Sequence, residues 1–387
     1  MLRAASCKKR EKNGVKDLKT TEKPNIGRNP ELDLWRLFGS ICIVLYHSKS
    51  FFDPPLFSSG YALTVEFFFL LSGYFFASTV YRDRRAFRWE TIGKETVRFL
   101  AHKIWGFLFY FVFGFVTAWI ACYCVRGWND AFSPLNLYEL FLLSETGIPR
   151  INVMNPDWYL SAMLIVMFPL YPLFRRRKDL FSAVIAPVLG VGSIGYIYVK
   201  YGNYLADASG DFPAKSLIRA LAGICLGVVV YRASEYLKTL KIGSRGEAAL
   251  TVVGALSMVA AVRLMGYRDN TAVPLQFLLF MIFITISTGG KSLFARRLPQ
   301  KPMKLAAEFS LSLYLTHTTV RLVLLGLAEK FPSFGEMFSS GENAWKGLLI
   351  YLAASIFFAL LAMPVSRGLK KLAAKGVGRI RGMREEQ

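Results

Sequence analysis

Apolar residues run along this chain in long blocks broken by short polar stretches. The blocks lie near 32–48, 60–80, 97–124, 157–174, 180–199, 216–231, 247–264, 274–289, 305–327 and 345–366. A perpendicular membrane helix needs about 20 residues, and shorter ones survive when tucked inside a bundle, away from lipid. The pattern predicts an all-α, polytopic integral membrane bundle of about ten transmembrane helices.

The polar stretches alternate in charge. One set carries Arg82, Arg84, Arg85, Arg88, Lys94 and Arg98, then Arg175–Lys178, then Arg232, Lys238, Lys241 and Arg245, then Lys291, Arg296, Arg297, Lys301 and Lys304. The intervening set is poor in basic residues and holds Asp53, Asp130, Glu139, Glu145, Asp207, Asp211, Glu329, Glu336 and Glu342. Cytoplasmic loops are the basic ones, so both termini are expected in the cytoplasm. The expected organisation is a disordered basic cytosolic tail over 1–29, a transmembrane domain over 30–370 and a basic cytosolic tail over 371–387. The first tail has no apolar core and is not a cleavable signal peptide.

Composition agrees. The chain has 387 residues, 53% of them hydrophobic and only 19% charged, with a net charge of +22. That charge would suit a nucleic-acid binder if it were spread over one face. Here it falls in clusters between apolar blocks, as topology requires, and no nucleic-acid partner is expected. The five cysteines show no metal-ligand spacing, and no metal is expected. Gly190-Val-Gly192-Ser-Ile-Gly195 spells a dinucleotide-binding string, yet it sits inside an apolar block with no βαβ context. Close helix packing explains it better. No internal repeat of the kind found in many secondary transporters is visible.

Ionisable side chains inside membrane segments are costly and point to function. Four stand out: Arg36, His47, Glu66 and His317. Arg36 and His47 are eleven residues apart, within ~20° of three full helical turns, so they share a face ~16 Å apart along the axis. Glu66, among the aromatics of Glu66-Phe-Phe-Phe-Leu-Leu-Ser72-Gly73-Tyr74, needs a cation or a proton. The expectation is that it meets His47 from the next helix and fixes the imidazole tautomer.

These residues carry a resemblance. Glu31-Leu-Asp33-Leu-Trp-Arg36 through Tyr46-His47 resembles the opening of the acyltransferase-3 family, which has an arginine and a histidine with ten residues between them on its first helix. Glu66 through Tyr74 is similar to its second-helix motif, Asp157-Trp158-Tyr159-Leu160 to the start of a mid-chain helix, and Ser310-Leu-Ser312-Leu-Tyr314-Leu-Thr-His317 to a late element. The family commonly has aspartate where this chain has Glu66, and its preceding glycines are thinned here to Gly60. No second, esterase-like module is expected.

The resemblance implies transfer of an acyl group, by default acetyl from acetyl-CoA, to a hydroxyl of a cell-envelope glycan or lipid-linked saccharide at the plasma membrane. Arg36 would bind the CoA arm, with Arg82, Arg84 and Arg85 meeting its phosphates. His47 held by Glu66 would act as general base. Trp158, Tyr314 and His317 are candidate acceptor-binding residues; an interfacial belt for Trp158 and helix packing for Tyr314 are the competing roles. A second reading, transport of lipid-linked sugars, would consume no acetyl-CoA.

Overall fold

The computed structural model describes residues 28–52, 55–133, 136–146, 154, 157–205, 214–266, 270–338 and 344–385. Every regular element among them is helical. The long helices are α1 (Pro30–His47), α2 (Thr64–Arg82), α3 (Trp89–Arg126), α4 (Asp157–Arg176), α5 (Lys178–Tyr201), α6 (Lys215–Thr239), α7 (Ser244–Met265), α8 (Val273–Thr288), α9 (Gln300–Lys330) and α10 (Ala344–Glu385). Eight are long and apolar enough to cross a membrane. The other two are α1, which carries Glu31, Asp33 and Arg36, and the 16-residue α8. Each matches one apolar block of the sequence.

Local chemistry sets the entry of α1. Asn29 caps it, its side chain accepting from the backbone N–H groups of Glu31 (3.0 Å) and Leu32 (3.2 Å). Pro30 occupies the first turn, where its missing N–H costs nothing. The Asn29 amide also donates to the Ser287 carbonyl at 2.9 Å, and Ser287 donates to Glu31 at 2.7 Å, tying α1 to the end of α8.

Burial separates centre from rim. The most apolar stretch of α2 is 78% buried, whereas those of α7 and α10 are 28% buried. Val252, Leu256 and Val259 on α7 and Phe357, Leu360 and Leu361 on α10 are exposed, a surface suited to lipid and not to water. The molecule is thus a polytopic helical membrane protein with α2 at its centre.

Glycines set the closest approaches. A Cβ on Gly73 would lie 2.1 Å from the Ile224 carbonyl oxygen, and one on Gly227 would lie 2.2 Å from that of Leu70. A Cβ on Gly223 would lie 2.4 Å from that of Phe69, so Gly223-x-x-x-Gly227 on α6 lets that backbone settle against α2. Of the dinucleotide-like string, Gly190 packs on Leu226 of α6, while Gly192 and Gly195 meet nothing.

The C-terminal stretch continues α10 as helix to Glu385. Residues 1–27 lie outside the described residues.

Candidate active site

The site is built on a register between two helices distant in sequence. Ser40 on α1 and Ser310 on α9 share a hydrogen bond of 2.7 Å, and Ser310 also donates to the Arg36 carbonyl at 2.9 Å. Further along, the rings of His47 and His317 lie 5.1 Å apart, centroid to centroid. Beyond them Arg321 donates to Ser50 Oγ at 3.2 Å. The three pairs keep an almost constant sequence offset, so α1 and α9 run parallel and in register over about three turns. That register brings the two histidines together.

The His317 tautomer is fixed by its neighbours. Its Nδ1 lies 2.8 Å from the Tyr314 carbonyl and 3.2 Å from that of Leu313. Carbonyls only accept, so Nδ1 carries the proton. Nε2, buried and without a hydrogen-bond partner, presents a lone pair. On His47 the buried Nδ1 is likewise without a partner. Each ring of the pair thus keeps a buried nitrogen without a hydrogen-bond partner, whereas groups that only hold a fold together are normally satisfied.

A cavity of about 640 Å³ approaches this pair from the opposite end of the helices. Arg28, Arg36, Lys103, Lys304, Arg367 and Lys370 supply its cations, from α1, α3, α9, α10 and the residues before α1. Its carboxylate is Glu308, held by Arg367 at 2.6 and 2.7 Å and by Tyr110. Arg36 is aimed by Asp33 (3.1 Å) and lies 5.1 Å over the Phe75 ring. Asp33 is buried between Arg36 and Arg28, so one carboxylate positions two guanidiniums. Deeper in, Ser40, Ser72, Tyr159, Ser310 and Tyr314 line the cavity. Ser72 and Tyr159 hydrogen-bond at 2.8 Å, and the Tyr314 ring lies 6.3 Å from His317. The cavity grades from cations at its mouth to hydroxyls next to the imidazoles.

Glu66 is not the partner of His47. It pairs with Arg219 of α6, whose Nε lies 2.6 Å away. Arg219 is in turn flanked by the Trp158 ring at 5.0 Å and the Tyr204 ring at 5.6 Å. The parallel α2–α6 packing explains this, since the glycine contacts that dock Gly73 on Gly227 carry Glu66 to Arg219, two turns earlier on both helices. Trp158 accordingly packs on a cation, while Tyr314 lines the cavity and His317 joins His47.

Arg82, Arg84 and Arg85 do not line the cavity that holds Arg36. Arg85 is bound to Asp83 at 2.6 and 2.9 Å, and the buried Arg175 bonds the Asp83 and Arg85 carbonyls and the Glu95 carboxylate. This loop is locked by its own ion pairs, and the Arg85 guanidinium holds the Asp83 carboxyl down to about 2. Arg85 instead borders a separate cavity of about 460 Å³ with Arg88, Lys94 and Arg98.

The polar loop residues before α4 serve the fold. Ser144 bonds Asp157, Ser216 bonds Glu145, and the Met154 N–H donates to Glu139 at 3.1 Å. Asn152 and Asn155 of the same stretch lie outside the described residues. Lys103, Arg219, Glu308 and Arg321 are functional or structural charges that the four-residue reading missed. Each lies inside an apolar block of the sequence, so the cost of burying charge flagged them as well.

Fold and site define a polytopic helical membrane protein with a histidine pair beyond the deep end of a basic cavity. The chain belongs to the acyltransferase-3 family, whose model, described as an acyltransferase domain, matches residues 29–367. It is therefore a membrane acyltransferase. No curated protein and no solved structure matches the chain.

Proposed function

We propose that the protein moves an acetyl group from acetyl-CoA to a hydroxyl of a cell-envelope saccharide or lipid-linked saccharide, with His47 and His317 as the proton-handling pair. The observation that carries this reading is the cavity itself, which places six cations at one end and ends in hydroxyls, with the Tyr314 ring 6.3 Å from His317 and His47 next beyond. A CoA thioester has matching chemistry: several phosphate charges at one end and a reactive carbonyl at the end of a long neutral arm. Arg28, Arg36, Lys103, Lys304, Arg367 and Lys370 would hold the phosphates, and the arm would lie past Ser72, Tyr159 and Tyr314.

In the transfer step an imidazole lone pair takes the acceptor hydroxyl proton as the oxygen attacks the thioester carbonyl carbon. The C–S bond then breaks, and the CoA sulfur leaves with a proton returned by the imidazolium. General base catalysis of this kind contributes ~10²–10⁴-fold. The basic end carrying the cavity would face the cytoplasm, where acyl-CoA is made, and the plasma membrane would be its home.

The test is purified protein in detergent given acetyl-CoA labelled in the acetyl group and an extract of envelope glycans. The reading predicts CoA release matched by label in the glycan, with weaker saturation by acetyl-CoA as ionic strength rises. Glycan binding or flux with no thioester cleavage would favour transport instead.

A further inference from the structure

The polar stripe on α9 does not stop at the histidine. Ser310, Tyr314, His317 and Arg321 follow spacings of four, three and four, so one helix face carries them all. Ser310 and Tyr314 line the basic cavity, whereas Arg321 lies one turn beyond His317, about 6 Å further along the axis and away from that cavity. Its charge acts on both imidazoles.

Arg321 differs from the protein's other inward-turned arginines. Arg175 is matched by Glu95 and Asp83, Arg219 by Glu66, and Arg36 by Asp33. Arg321 donates one hydrogen bond, to the neutral Ser50, and its buried Nε has no partner. The groups facing it electrostatically are Tyr351, Tyr46 and a second cation, Arg126. No carboxylate among the described residues pairs with it. A half-buried guanidinium whose Nε is shut away from water beside two imidazoles and another arginine is unfavourable unless an anion arrives, and its other nitrogens stay open to one. Its planar fork suits a carboxylate or a phosphate.

We infer that Arg321, with Ser50, forms an anion subsite on the far side of the histidine pair, and that it takes a carboxylate or phosphate group carried by the acyl acceptor. This rests on the reading of His47 and His317 as the transfer centre. The acceptor is then an acidic or phosphorylated saccharide. Its charged group is held by Arg321 while a neighbouring hydroxyl is presented to the imidazoles, opposite the thioester.

The test uses the full-length protein in detergent with saturating CoA, which fills the basic cavity, and reads thermal stabilisation on titration with inorganic phosphate. Arg321→Gln is expected to weaken the phosphate response about ten- to a hundredfold, the worth of one charge-assisted contact. Arg321→Lys, which keeps the cation and loses the fork, should fall between it and the unsubstituted protein. Equal phosphate midpoints for the unsubstituted protein and Arg321→Gln overturn the subsite. If Arg321→Gln does not fold, an Arg321→Lys midpoint equal to the unsubstituted one overturns it. A second arm compares CoA release with methyl glucuronide, glucose 1-phosphate and methyl glucoside. Preference for the glucuronide or for the phosphate identifies the source of the anion, and no preference over the neutral glucoside contradicts the proposal. Failure of CoA itself to stabilise the protein sinks the acyl-CoA reading separately, while the phosphate comparison still reports on Arg321.

Discussion

Two parallel helix pairs run through this bundle and treat their polar groups in opposite ways. Where α2 meets α6, glycines bring backbones into contact and the buried Glu66 is closed off by Arg219, with Trp158 and Tyr204 packed on the guanidinium. Where α1 meets α9, small hydroxyls space the helices, and the histidines beyond them keep nitrogens with no hydrogen-bond partner. A closed ion pair orders a core, whereas an open pair of imidazoles beside a cavity can exchange protons. Buried charge alone does not distinguish the two; what surrounds it does.

That contrast can be broken from either side. The largest effect is expected from Glu66→Ala, which leaves Arg219 buried without its anion and should cost about 3–5 kcal/mol. It should show as a lowered melting temperature and a reduced folded yield, with kcat per folded molecule nearly kept. A kcat collapse in a well-folded Glu66→Ala protein would return Glu66 to the chemistry. Gly73→Leu should follow, since its side chain has no room against the Ile224 carbonyl; overpacking of this kind costs about 1–3 kcal/mol.

On the α1–α9 side, Ser40→Cys with Ser310→Cys should form a disulfide on mild oxidation, because the native hydroxyls are 2.7 Å apart. Intact mass reads the bond, and its absence would contradict the register. Lys103→Gln, at the cavity mouth, should raise KM for acetyl-CoA about tenfold while leaving kcat within a factor of about two, as expected when uniform binding is lost. An unchanged KM would remove Lys103 from the donor site.

The smallest effect concerns the Asp83 loop. Its carboxyl titrates lower in the folded protein than the usual value near 4. The stabilisation is therefore complete above about pH 4 and fades as pH falls through about 2. Melting curves of Asp83→Asn and the unsubstituted protein should differ by a few degrees at pH 6 and converge toward pH 2. A constant gap would show that Asp83 acts by packing.

The ten helices were legible in the sequence because apolar length is a strong signal in a membrane solvent. Helical periodicity also set Arg36 and His47 on one face of α1. It did not say which helix that face would meet. The pairing of His47 with Glu66 came from adjacency in sequence, whereas helices 270 residues apart supply the contact in space. Arg82, Arg84 and Arg85 looked like a phosphate site because charge is visible in sequence. The carboxylates and carbonyls that hold the Asp83–Arg85 turn are not. His317 was visible as an intramembrane imidazole, but its partner was hidden until the register of α1 and α9 was known.

The central claim is that His47 and His317 act as one unit. A double-mutant cycle on CoA release with His47→Ala, His317→Ala and the double variant tests it most directly. Each single variant should lose ~10²–10⁴ in kcat, and the double should lose little more than either. Losses that multiply, or a single variant with full activity, would contradict the account.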